Sequence, residues 1–287
     1  MARKRLQPLL LAEDSSYEEA VPKPFLKWAG GKRQVLDALH PRLLPIQGAY
    51  HEPFLGGGAV FLSLGEVSGG AYLSDTNSRL VRSWIAVRDQ TEALIEVLAW
   101  HLGKHSEDHF LAQRERDIDE ASDVELAGWM IYLNKAGFNG LYRVNRKGRF
   151  NVPWGRVERP GVLQPGRLRA TSRALQGVDI RCQDFAQACE AVRPGDTVYF
   201  DPPYIPDRAH GFTSYTADKF RHADQERLAA LALELKLRGV KVVLSNHEDP
   251  TIEQLYPPPF CIDRVLVPRH VNRDAAKRGG VTEVIIW

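Results

Sequence analysis

The chain contains a four-residue cluster, Asp201-Pro202-Pro203-Tyr204, whose groups suit the binding of a planar amine. Asp201 and the carbonyl of Pro202 are acceptors, and an exocyclic amino group offers two N–H donors. Tyr204 offers an aromatic face on which a flat ring can stack. Two acceptors outside the ring plane would favour a pyramidal nitrogen and localise its lone pair, which activates the amine as a nucleophile. The other interpretation is a simple turn after a strand.

The residues before this cluster predict the strand that positions it. Residues 198–200 (Val-Tyr-Phe) form a short apolar run rich in β-forming residues. The strand cannot continue, because Pro202 and Pro203 have no N–H group to donate. The cluster is therefore expected at the carboxyl end of a strand, which is where open α/β sheets bind their ligands.

A second candidate site lies in residues 50–61 (YHEPFLGGGAVF), which predict a strand, a glycine turn and a helix. Only half of the dinucleotide fingerprint is present, because Phe61 stands where the third glycine would be. Asp75 ends the next predicted strand and lies 19 residues after Gly56, near the offset at which an acid meets ribose hydroxyls. Asp75 could instead cap the following helix. Together these features favour a nucleoside-containing cofactor without a pyrophosphate.

Residues 25–32 (FLKWAGGK) contain a Gly-Gly-Lys sequence that invites comparison with a phosphate-binding P-loop. That loop needs Gly and Ser or Thr where Leu26 and Arg33 stand, so the comparison fails. A glycine turn beside Trp28 and Lys32 could still line a pocket, and Trp28 could equally be a core residue.

Asp184 and Phe185 follow a predicted strand at residues 178–182. An acid and an aromatic ring at a strand end could hold the amino group and the face of an adenine. Helix capping by Asp184 and core packing by Phe185 are the alternatives.

The charge of the chain is uneven. The net charge is only +2, but residues 135–173 contain ten Lys or Arg and one acid, Glu158. In this stretch aromatic residues alternate with Arg and Asn, which can bind phosphates and base edges or wedge into a base stack. The pattern predicts a surface for a polyanion, and nucleic acid is the best fit. Residues 269–280, a second basic loop, could add a phosphate contact.

The order of the predicted helices and strands divides the chain into a tail, an α/β domain and an inserted helical domain. Residues 1–20 are expected to be a disordered tail, and residues 21–85 with 175–287 alternate strands and helices as an α/β domain does. Residues 86–174 lack strand signals and show helical periodicity, which predicts an inserted helical domain. Residues 207–220, which include Phe212 and Tyr215, could close over a substrate.

Taken together, these motifs and their order resemble the Dam-type family of DNA adenine-N6 methyltransferases. The matching stretches are residues 25–32 (FLKWAGGK), 52–58 (EPFLGGG), Asp75, 139–155 (NGLYRVNRKGRFNVPWG), Asp184 with Phe185, and 201–204 (DPPY). The resemblance covers about residues 23–287. Phe138 departs from the pattern, because the family often has Tyr before the Asn-Gly.

The resemblance implies a doubly wound, Rossmann-like methyltransferase sheet of the α/β class, with an inserted, mainly helical target-recognition domain. It implies S-adenosylmethionine (SAM) as the methyl donor and a SAM pocket lined by Trp28, Lys32, Phe54, Gly56, Gly58, Asp75, Asp184, Phe185 and Asp201. It places an adenine flipped from double-stranded DNA on Tyr204, with its amino group held by Asp201 and the Pro202 carbonyl. The amine would then attack the sulfonium methyl in line. The DNA contacts that it implies come from Lys27, Phe138, Asn139, Leu141, Arg143, Pro153 and Arg156.

Other functions stay open at this level. A methyltransferase acting on cytosine N4 or on an RNA base would share the chemistry, and GATC as the target rests on residues 139–155 alone. A non-catalytic DNA-binding protein with a relic fold is the alternative from another class. The three cysteines show no metal-ligand spacing and fit a reduced, cytoplasmic setting. No apolar run is long enough to span a membrane.

Overall fold

The computed structural model describes residues 20–204, 220–267 and 281–287. These residues form two compact units. The helical unit contains residues 20–29 and Arg82–Gln176, and the sheet unit contains Gly30–Val81 and the described residues after 176. The expectations for the tail at 1–20, the loop at 207–220 and the loop at 269–280 lie outside the described residues, except at Ala20 and Phe220.

Seven strands of the described residues form one sheet. They are β1 (Tyr50–Glu52), β2 (Ala71–Asp75), β3 (Asp179–Cys182), β4 (Thr197–Phe200), β5 (Lys241–His247), β6 (Ile262–Val267) and β7 (Val281–Ile286). The order across the sheet is β3-β2-β1-β4-β5-β7-β6. Neighbours from β3 to β5 are parallel, and β7 runs antiparallel to both β5 and β6. This confirms the predicted doubly wound α/β fold, with a reversal of winding between β1 and β4.

The central strands are buried on both faces and are mainly apolar. All four residues of β4 are buried, as are residues 242–246 of β5. Buried parallel strands of this kind read as continuous hydrophobic runs, which is why the sequence revealed β4. Phe200 and Leu244 pack with Leu228 of the longest helix of the unit and with Val284 of β7. The helices of the unit are α1 (Leu36–Leu43), the first turn of α2 (Ser78–Asp89), α7 (Phe185–Ala188), α8 (His222–Leu237) and α9 (Ile252–Leu255).

One predicted element of the sheet unit is different in the structure. The sequence predicts a helix after the glycine turn of residues 56–58, and the structure has only a three-residue 3-10 helix, Phe61–Ser63. The backbone N–H of Phe61 donates to the carboxylate of the buried Glu52 (3.1 Å). This bond to a side chain of β1 replaces a bond that a longer helix would have made within itself.

The helical unit is built around a nearly fully buried helix. Its helices are the rest of α2, α3 (Thr91–Gly103), α4 (Glu107–Glu115), α5 (Asp123–Ala136) and α6 (Pro165–Ala174). Helix α5 begins at a capping box in which Ser122 and Glu125 satisfy each other's backbone N–H groups. Because most of its residues are buried on every side, α5 is the core of the unit rather than a surface helix.

The boundary between the units differs from the predicted one at the amino-terminal side. The sequence assigned residues 21–29 to the α/β domain, and the structure clusters them with the helical unit. The reason is local packing: the ring of Phe25 lies 4.6 Å from that of Trp84, and the backbone of Lys27 is bonded to Asn134. An extended segment without helix or strand bonds takes the partners that a neighbouring core offers.

Candidate active site

The Asp-Pro-Pro-Tyr segment follows β4 directly, at the carboxyl end of the strand beside the reversal of winding. Oδ1 of Asp201 accepts from Nζ of Lys32 (2.8 Å) and from Oγ of Ser245 (3.1 Å). Oδ2 accepts no hydrogen bond from the part of the chain that the structure describes. The carboxylate is therefore fixed through one oxygen while the other keeps its lone pairs, and the side chain is 21% exposed.

Lys32 connects the Gly30-Gly31 turn to the Asp-Pro-Pro-Tyr segment. Its ammonium donates to Oδ1 of Asp201, to the hydroxyl of Tyr204 and to the carbonyl of Gly30, all at 2.8 Å. Its side chain is only 2% exposed, so all three donors are used inside the protein. Burial lowers the pKa of Lys32, but Asp201, followed by Tyr204 and Glu283, raises it, and the net pKa lies above the ordinary value. Lys32 was predicted as a cofactor contact, and the structure shows it bound to the predicted catalytic residues.

Tyr204 is held at its hydroxyl, far from its backbone. The hydroxyl accepts from Lys32 and donates to Oε1 of Glu283 (3.2 Å). The ring lies 5.9 Å from the ring of His247, at an angle of 37°. Burial raises the pKa of the phenol to about 12, so the group is neutral at physiological pH. The aromatic face predicted to receive a flat ring is thus anchored at one edge by charged groups.

Burial also raises the pKa of the Asp201 carboxyl, while Lys32 and Ser245 act in the opposite direction. The hydroxyl of Ser245 is itself within 2.7 Å of the Tyr199 hydroxyl, which places the donor to Asp201 by a second bond. The backbone of the segment has an anchor too, because the amide of Gln225 donates to the carbonyl of Pro203 (2.9 Å). The sequence analysis missed Ser245, Gln225 and Glu283. For Glu283 a signal existed, since it is a lone acid within an apolar strand.

The glycine turn after β1 has the backbone that its sequence requires. Gly56 and Gly58 have φ of 48° and 64°, values that residues with a side chain rarely adopt. The carboxylate of Asp75 accepts from the N–H of Gly56 (3.0 Å) and from the N–H of Asn77 (2.9 Å). Asp75 therefore joins the turn after β1 to the end of β2, whereas the helix that follows is capped by Asn77, whose Oδ1 accepts from the N–H of Leu80 (3.2 Å). Burial raises the pKa of Asp75, while the N–H groups of Asn77 and Gly56 act to lower it.

An aromatic group lies beside the same turn. The ring of Phe54 is 5.4 Å from that of Phe185, in a stacked arrangement, and 5.7 Å from that of Phe220. Phe185 is buried in the core, as its alternative interpretation had it, and the guanidinium of Arg227 lies 4.3 Å from its ring centre. These rings form an apolar wall at the ends of β1 and β3.

Asp184 also has the structural role that was its alternative interpretation. Oδ1 accepts from the N–H of Ala186 (3.0 Å) as the cap of α7, and Oδ2 accepts from Arg227 (2.8 Å). Both oxygens thus have one protein partner each, and each keeps a further lone pair. A ligand at this strand end would meet a carboxylate whose orientation is already fixed.

In the helical unit, a buried amide shapes the predicted reading segment. Asn134 accepts from the N–H of Lys27 (2.8 Å) and donates to the carbonyls of Lys27 (2.9 Å) and Gly140 (2.7 Å). Gly140 has φ of 68°, and a Cβ there would lie 2.2 Å from the side chain of Lys27. Asn139 also has positive φ (56°) and is exposed. The Asn-Gly pair therefore forms a tight turn that presents Asn139, with Phe138 46% exposed and Leu141 half-buried beside it.

Residues 143–151 fold into a short hairpin. Val144 and Phe150 form an antiparallel bridge, and the side chain of Asn145 accepts from the N–H groups of Lys147 and Arg149 across the tip. Arg143, predicted to contact DNA, donates from Nε to the side chain of Asn151 (2.7 Å) and from Nη2 to its carbonyl (3.0 Å). Arg143 thus braces the hairpin in this structure. The tip exposes the cations of Arg146, Lys147 and Arg149.

The remaining predicted contacts flank these two features. Pro153 is exposed and its carbonyl accepts from the N–H of Phe138 (2.9 Å), so it supports the Asn-Gly turn. Arg156 is exposed, with φ of 52°. Trp28 belongs to this unit and stacks on Tyr142, with ring centres 5.3 Å apart. Within this unit, the ring partner of Trp28 is therefore the residue just before the hairpin.

Comparison with known proteins assigns this arrangement to a family. The family model of the D12 class N6 adenine-specific DNA methyltransferases matches residues 28–264. The chain belongs to this family. The matched range includes β1 to β5, the hairpin and the Asp-Pro-Pro-Tyr segment, so the methyltransferase assignment covers both units.

Individual relatives agree with the family over nearly the full length. The methyltransferase is 38% identical to the Type II methyltransferase M1.LlaDCHI of Lactococcus lactis subsp. cremoris, over 92% of this chain and 94% of that protein. It is 36% identical to the Type II methyltransferase M.MjaIII of Methanocaldococcus jannaschii, over 92% and 98% of the two chains. It is 31% identical to the DNA adenine methylase of Haemophilus influenzae, over 92% of each chain.

Membership makes the chain a DNA adenine-N6 methyltransferase, and this family uses SAM as the methyl donor. The donor set of the sheet unit fits that molecule. The carboxylate of Asp75 has spare lone pairs for hydroxyls, the glycine turn brings backbone close, and Phe54 offers an apolar wall. Within the described ranges, no three His, Cys, Asp or Glu side chains are grouped as a metal site would need. A search of the same residues finds no helix with the length and apolarity to cross a membrane.

Proposed function

We propose that the chain methylates N6 of an adenine at a specific site in double-stranded DNA, and that Asp201, Pro202, Pro203 and Tyr204 perform the chemistry. The observation that carries this proposal is the state of Asp201, which is fixed through Oδ1 and leaves Oδ2 for a ligand. An N–H of the adenine amine would donate to Oδ2, and the second N–H would donate to the carbonyl of Pro202. Tyr204 would support the base by stacking.

Activation of the amine follows from this pair of acceptors. The lone pair of an exocyclic amine is delocalised into the ring, which makes it a poor nucleophile. Two fixed acceptors favour the pyramidal nitrogen in which the lone pair is localised, and they stabilise the positive charge that develops there. Because Lys32 and Ser245 already hold the carboxylate, little reorganisation is needed when the base binds.

The carboxyl edge of β1 to β3 is the proposed SAM pocket. When bound, SAM supplies an electrophilic methyl group on a sulfonium. We assign the ribose hydroxyls to Asp75, close backbone approach to Gly56 and Gly58, and the apolar contact to Phe54 and Phe185. The carboxylate of Asp184 would accept a hydrogen bond from the adenine amino group of SAM through its remaining lone pairs. Trp28 and Lys32 were part of the predicted pocket, and Lys32 is assigned instead to holding Asp201 and Tyr204.

The helical unit is the proposed target-recognition domain. We assign base contacts to the exposed Phe138, Asn139 and Pro153 and to the half-buried Leu141, and phosphate contacts to the exposed cations of the hairpin tip. Lys27 and Arg156 are exposed cations at the same turn segments, and Arg143 acts by holding the hairpin. A base that reacts at N6 must leave the duplex stack, so base flipping is part of this proposal.

GATC is the proposed target sequence, on the resemblance of residues 139–155 to the readers of Dam-type enzymes. A function in restriction–modification is proposed as well, because two relatives carry the name Type II methyltransferase. The experiment is to incubate the protein with tritiated SAM and with duplexes that differ by one base pair in GATC, then to map the modified base. Label at N6 of the GATC adenine is the expected result. Equal labelling of unrelated duplexes would contradict the specific reader, and label on cytosine would contradict the adenine assignment.

A further inference from the structure

Glu283 is a half-buried carboxylate, with one buried oxygen, that the proposed mechanism does not use. It lies on β7, where it pairs across from His247 at the carboxyl end of β5. Because β7 runs antiparallel to β5, the start of β7 lies at the edge of the sheet where the parallel strands end. The topology therefore brings a carboxylate from near the end of the chain to the Asp-Pro-Pro-Tyr segment.

The two oxygens of Glu283 have different surroundings. Oε1 accepts from the hydroxyl of Tyr204 (3.2 Å), and Oε2 is buried with no hydrogen-bond partner among the described residues. A buried polar atom without a partner costs free energy of folding. An aliphatic residue in the apolar strand β7 would avoid that cost, so the stability of the strand does not explain the acid.

The hydroxyl of Tyr204 explains it better. The hydroxyl has one proton to donate, and the ammonium of Lys32 approaches it as a donor at 2.8 Å. Only an acceptor can therefore complete the arrangement on the other side, and Glu283 supplies it. The negative charge of Glu283 also contributes to the raised pKa of Lys32, which keeps that donor protonated.

Holding the hydroxyl fixes the ring. Tyr204 follows two prolines, which have no N–H groups by which the backbone could be anchored. A tyrosine side chain turns about two bonds. Fixing the position of the hydroxyl oxygen restricts the first bond. Because the phenolic O–H and its partners prefer to lie in the plane of the ring, partners on both sides of the hydroxyl restrict rotation about the second bond as well. The ring face that would support the base is then set before DNA binds.

We propose that Glu283 is a positioning residue for the methyl transfer, acting through the hydroxyl of Tyr204. This inference rests on the proposed function, in which the ring of Tyr204 supports the target adenine. Glu283 sets the plane of the ring, and the ring sets the distance of the amine from Asp201. Small errors of position at a reacting group are expensive, about a hundredfold in rate for a displacement of ~1 Å.

The test compares Glu283→Leu, Glu283→Gln, Tyr204→Phe and the double variant Glu283→Leu/Tyr204→Phe. For each we would measure kcat, the KM for SAM and for duplex DNA, and the urea midpoint of unfolding. Glu253→Ala is the control, because Glu253 is an exposed acid paired with Arg264. It should leave all of these values unchanged.

We expect Glu283→Leu to lower kcat by about tenfold to a hundredfold, with the KM for SAM within about twofold of the wild type. Its urea midpoint should not fall, because the substitution removes a buried oxygen without a partner. Glu283→Gln should recover most of the rate, since its amide oxygen can accept the same bond. In the Tyr204→Phe background, Glu283→Leu should cost almost nothing further, because the hydroxyl through which it acts is gone.

Equal losses in the wild-type and Tyr204→Phe backgrounds would overturn the inference, and so would an unchanged kcat in Glu283→Leu. If Glu283→Leu fails to fold, the cycle is run with Glu283→Gln, whose smaller loss must likewise disappear in the Tyr204→Phe background. A wild-type protein that never methylates adenine would contradict the proposed function itself. That result differs from an active wild type whose kcat is unaffected by substitution of Glu283, which would contradict only the present inference.

Discussion

The Asp-Pro-Pro-Tyr segment and the hairpin of the helical unit use cations in opposite ways. Lys32 is buried, and its three donors are all bound to protein oxygens. Arg146, Lys147 and Arg149 are exposed at the hairpin tip and form no ion pair within the described part of the chain. The first site is organised before a ligand arrives, as a site that stabilises a transition state must be. The second leaves its charges in solvent, which suits the proposed contact with phosphates, because binding there releases counterions.

Buried ionisable groups, in contrast, are kept neutral in both units. In the sheet unit, burial raises the pKa of Glu52 to about 8, and its carboxyl is bonded to Tyr50 and Phe61. In the helical unit, burial lowers the pKa of His101 to about 3, where its ring stacks on Tyr132. Both groups are mainly neutral at pH 7, so each core tolerates them without a charged partner.

We expect the largest effect on catalysis from a substitution of Asp201, in the preorganised segment. Asp201→Asn keeps an oxygen for Lys32 and Ser245 but turns an N–H₂ group toward the amine. Because one acceptor of the developing positive charge is removed, kcat should fall by about a hundredfold to a thousandfold. Binding of duplex DNA, measured by fluorescence anisotropy, should stay within about threefold of the wild type, since binding draws on the phosphate contacts. A variant that retains full kcat would exclude Asp201 from the chemistry.

In the helical unit, the buried side chain of Asn134 holds the Asn-Gly turn by hydrogen bonds, as Lys32 holds the Asp-Pro-Pro-Tyr segment in the sheet unit. Asn134→Ala removes three hydrogen bonds and leaves the N–H of Lys27 and the carbonyl of Gly140 without a partner. The free energy of unfolding should fall by about 2–3 kcal/mol, measured by urea denaturation. The affinity for DNA should fall as well, because the turn that presents Asn139 loosens. Gln90→Ala, at an exposed position, is the control, and equal stability of both variants would refute this support.

Glu52 should make the free energy of unfolding depend on pH, and its substitution should remove that dependence. Its folded-state pKa of about 8 lies above the ordinary 4.5, so between these values the folded state binds more protons than the unfolded state. Stability should therefore fall as pH rises, by roughly 2 kcal/mol between pH 5.5 and 7.5. Glu52→Gln should flatten this dependence in urea unfolding. Glu190→Gln, at an exposed acid, should leave it unchanged, and a wild type without the slope would contradict the assignment.

The hairpin tip should show the smallest effect, confined to binding. Replacing Arg146, Lys147 and Arg149 together by Ala should weaken duplex binding about tenfold near physiological salt. The slope of log Kd against log salt concentration should shrink by roughly 2–3, at about 0.9 for each phosphate that is no longer neutralised. kcat at saturating DNA should not change. Arg114→Ala, which removes a cation paired with Glu115, should leave the slope as it is. An unchanged slope in the triple variant would place the phosphate-binding cations elsewhere.

The sequence predicted those parts of the site that are local in the chain. The Asp-Pro-Pro-Tyr segment, the glycine turn and the acid at Asp75 are recognisable because each depends on neighbours a few residues away. The strand β4 is visible as an apolar run that two prolines end. The grouping of the extended segment at residues 21–29 with the helical unit was not predicted, because its partners Trp84 and Asn134 are distant in sequence.

By itself the amino-acid sequence determined the fold class, the family to which it is similar and the four residues proposed to hold and activate the amine. Only the tertiary structure decided what holds them. Lys32 is hydrogen-bonded to Tyr204, although the two lie 172 residues apart in sequence, and Tyr204 is hydrogen-bonded to Glu283, 79 residues away. No local pattern encodes such pairs, because they exist only once the order of strands brings the ends of β4 and β5 and the start of β7 to one edge.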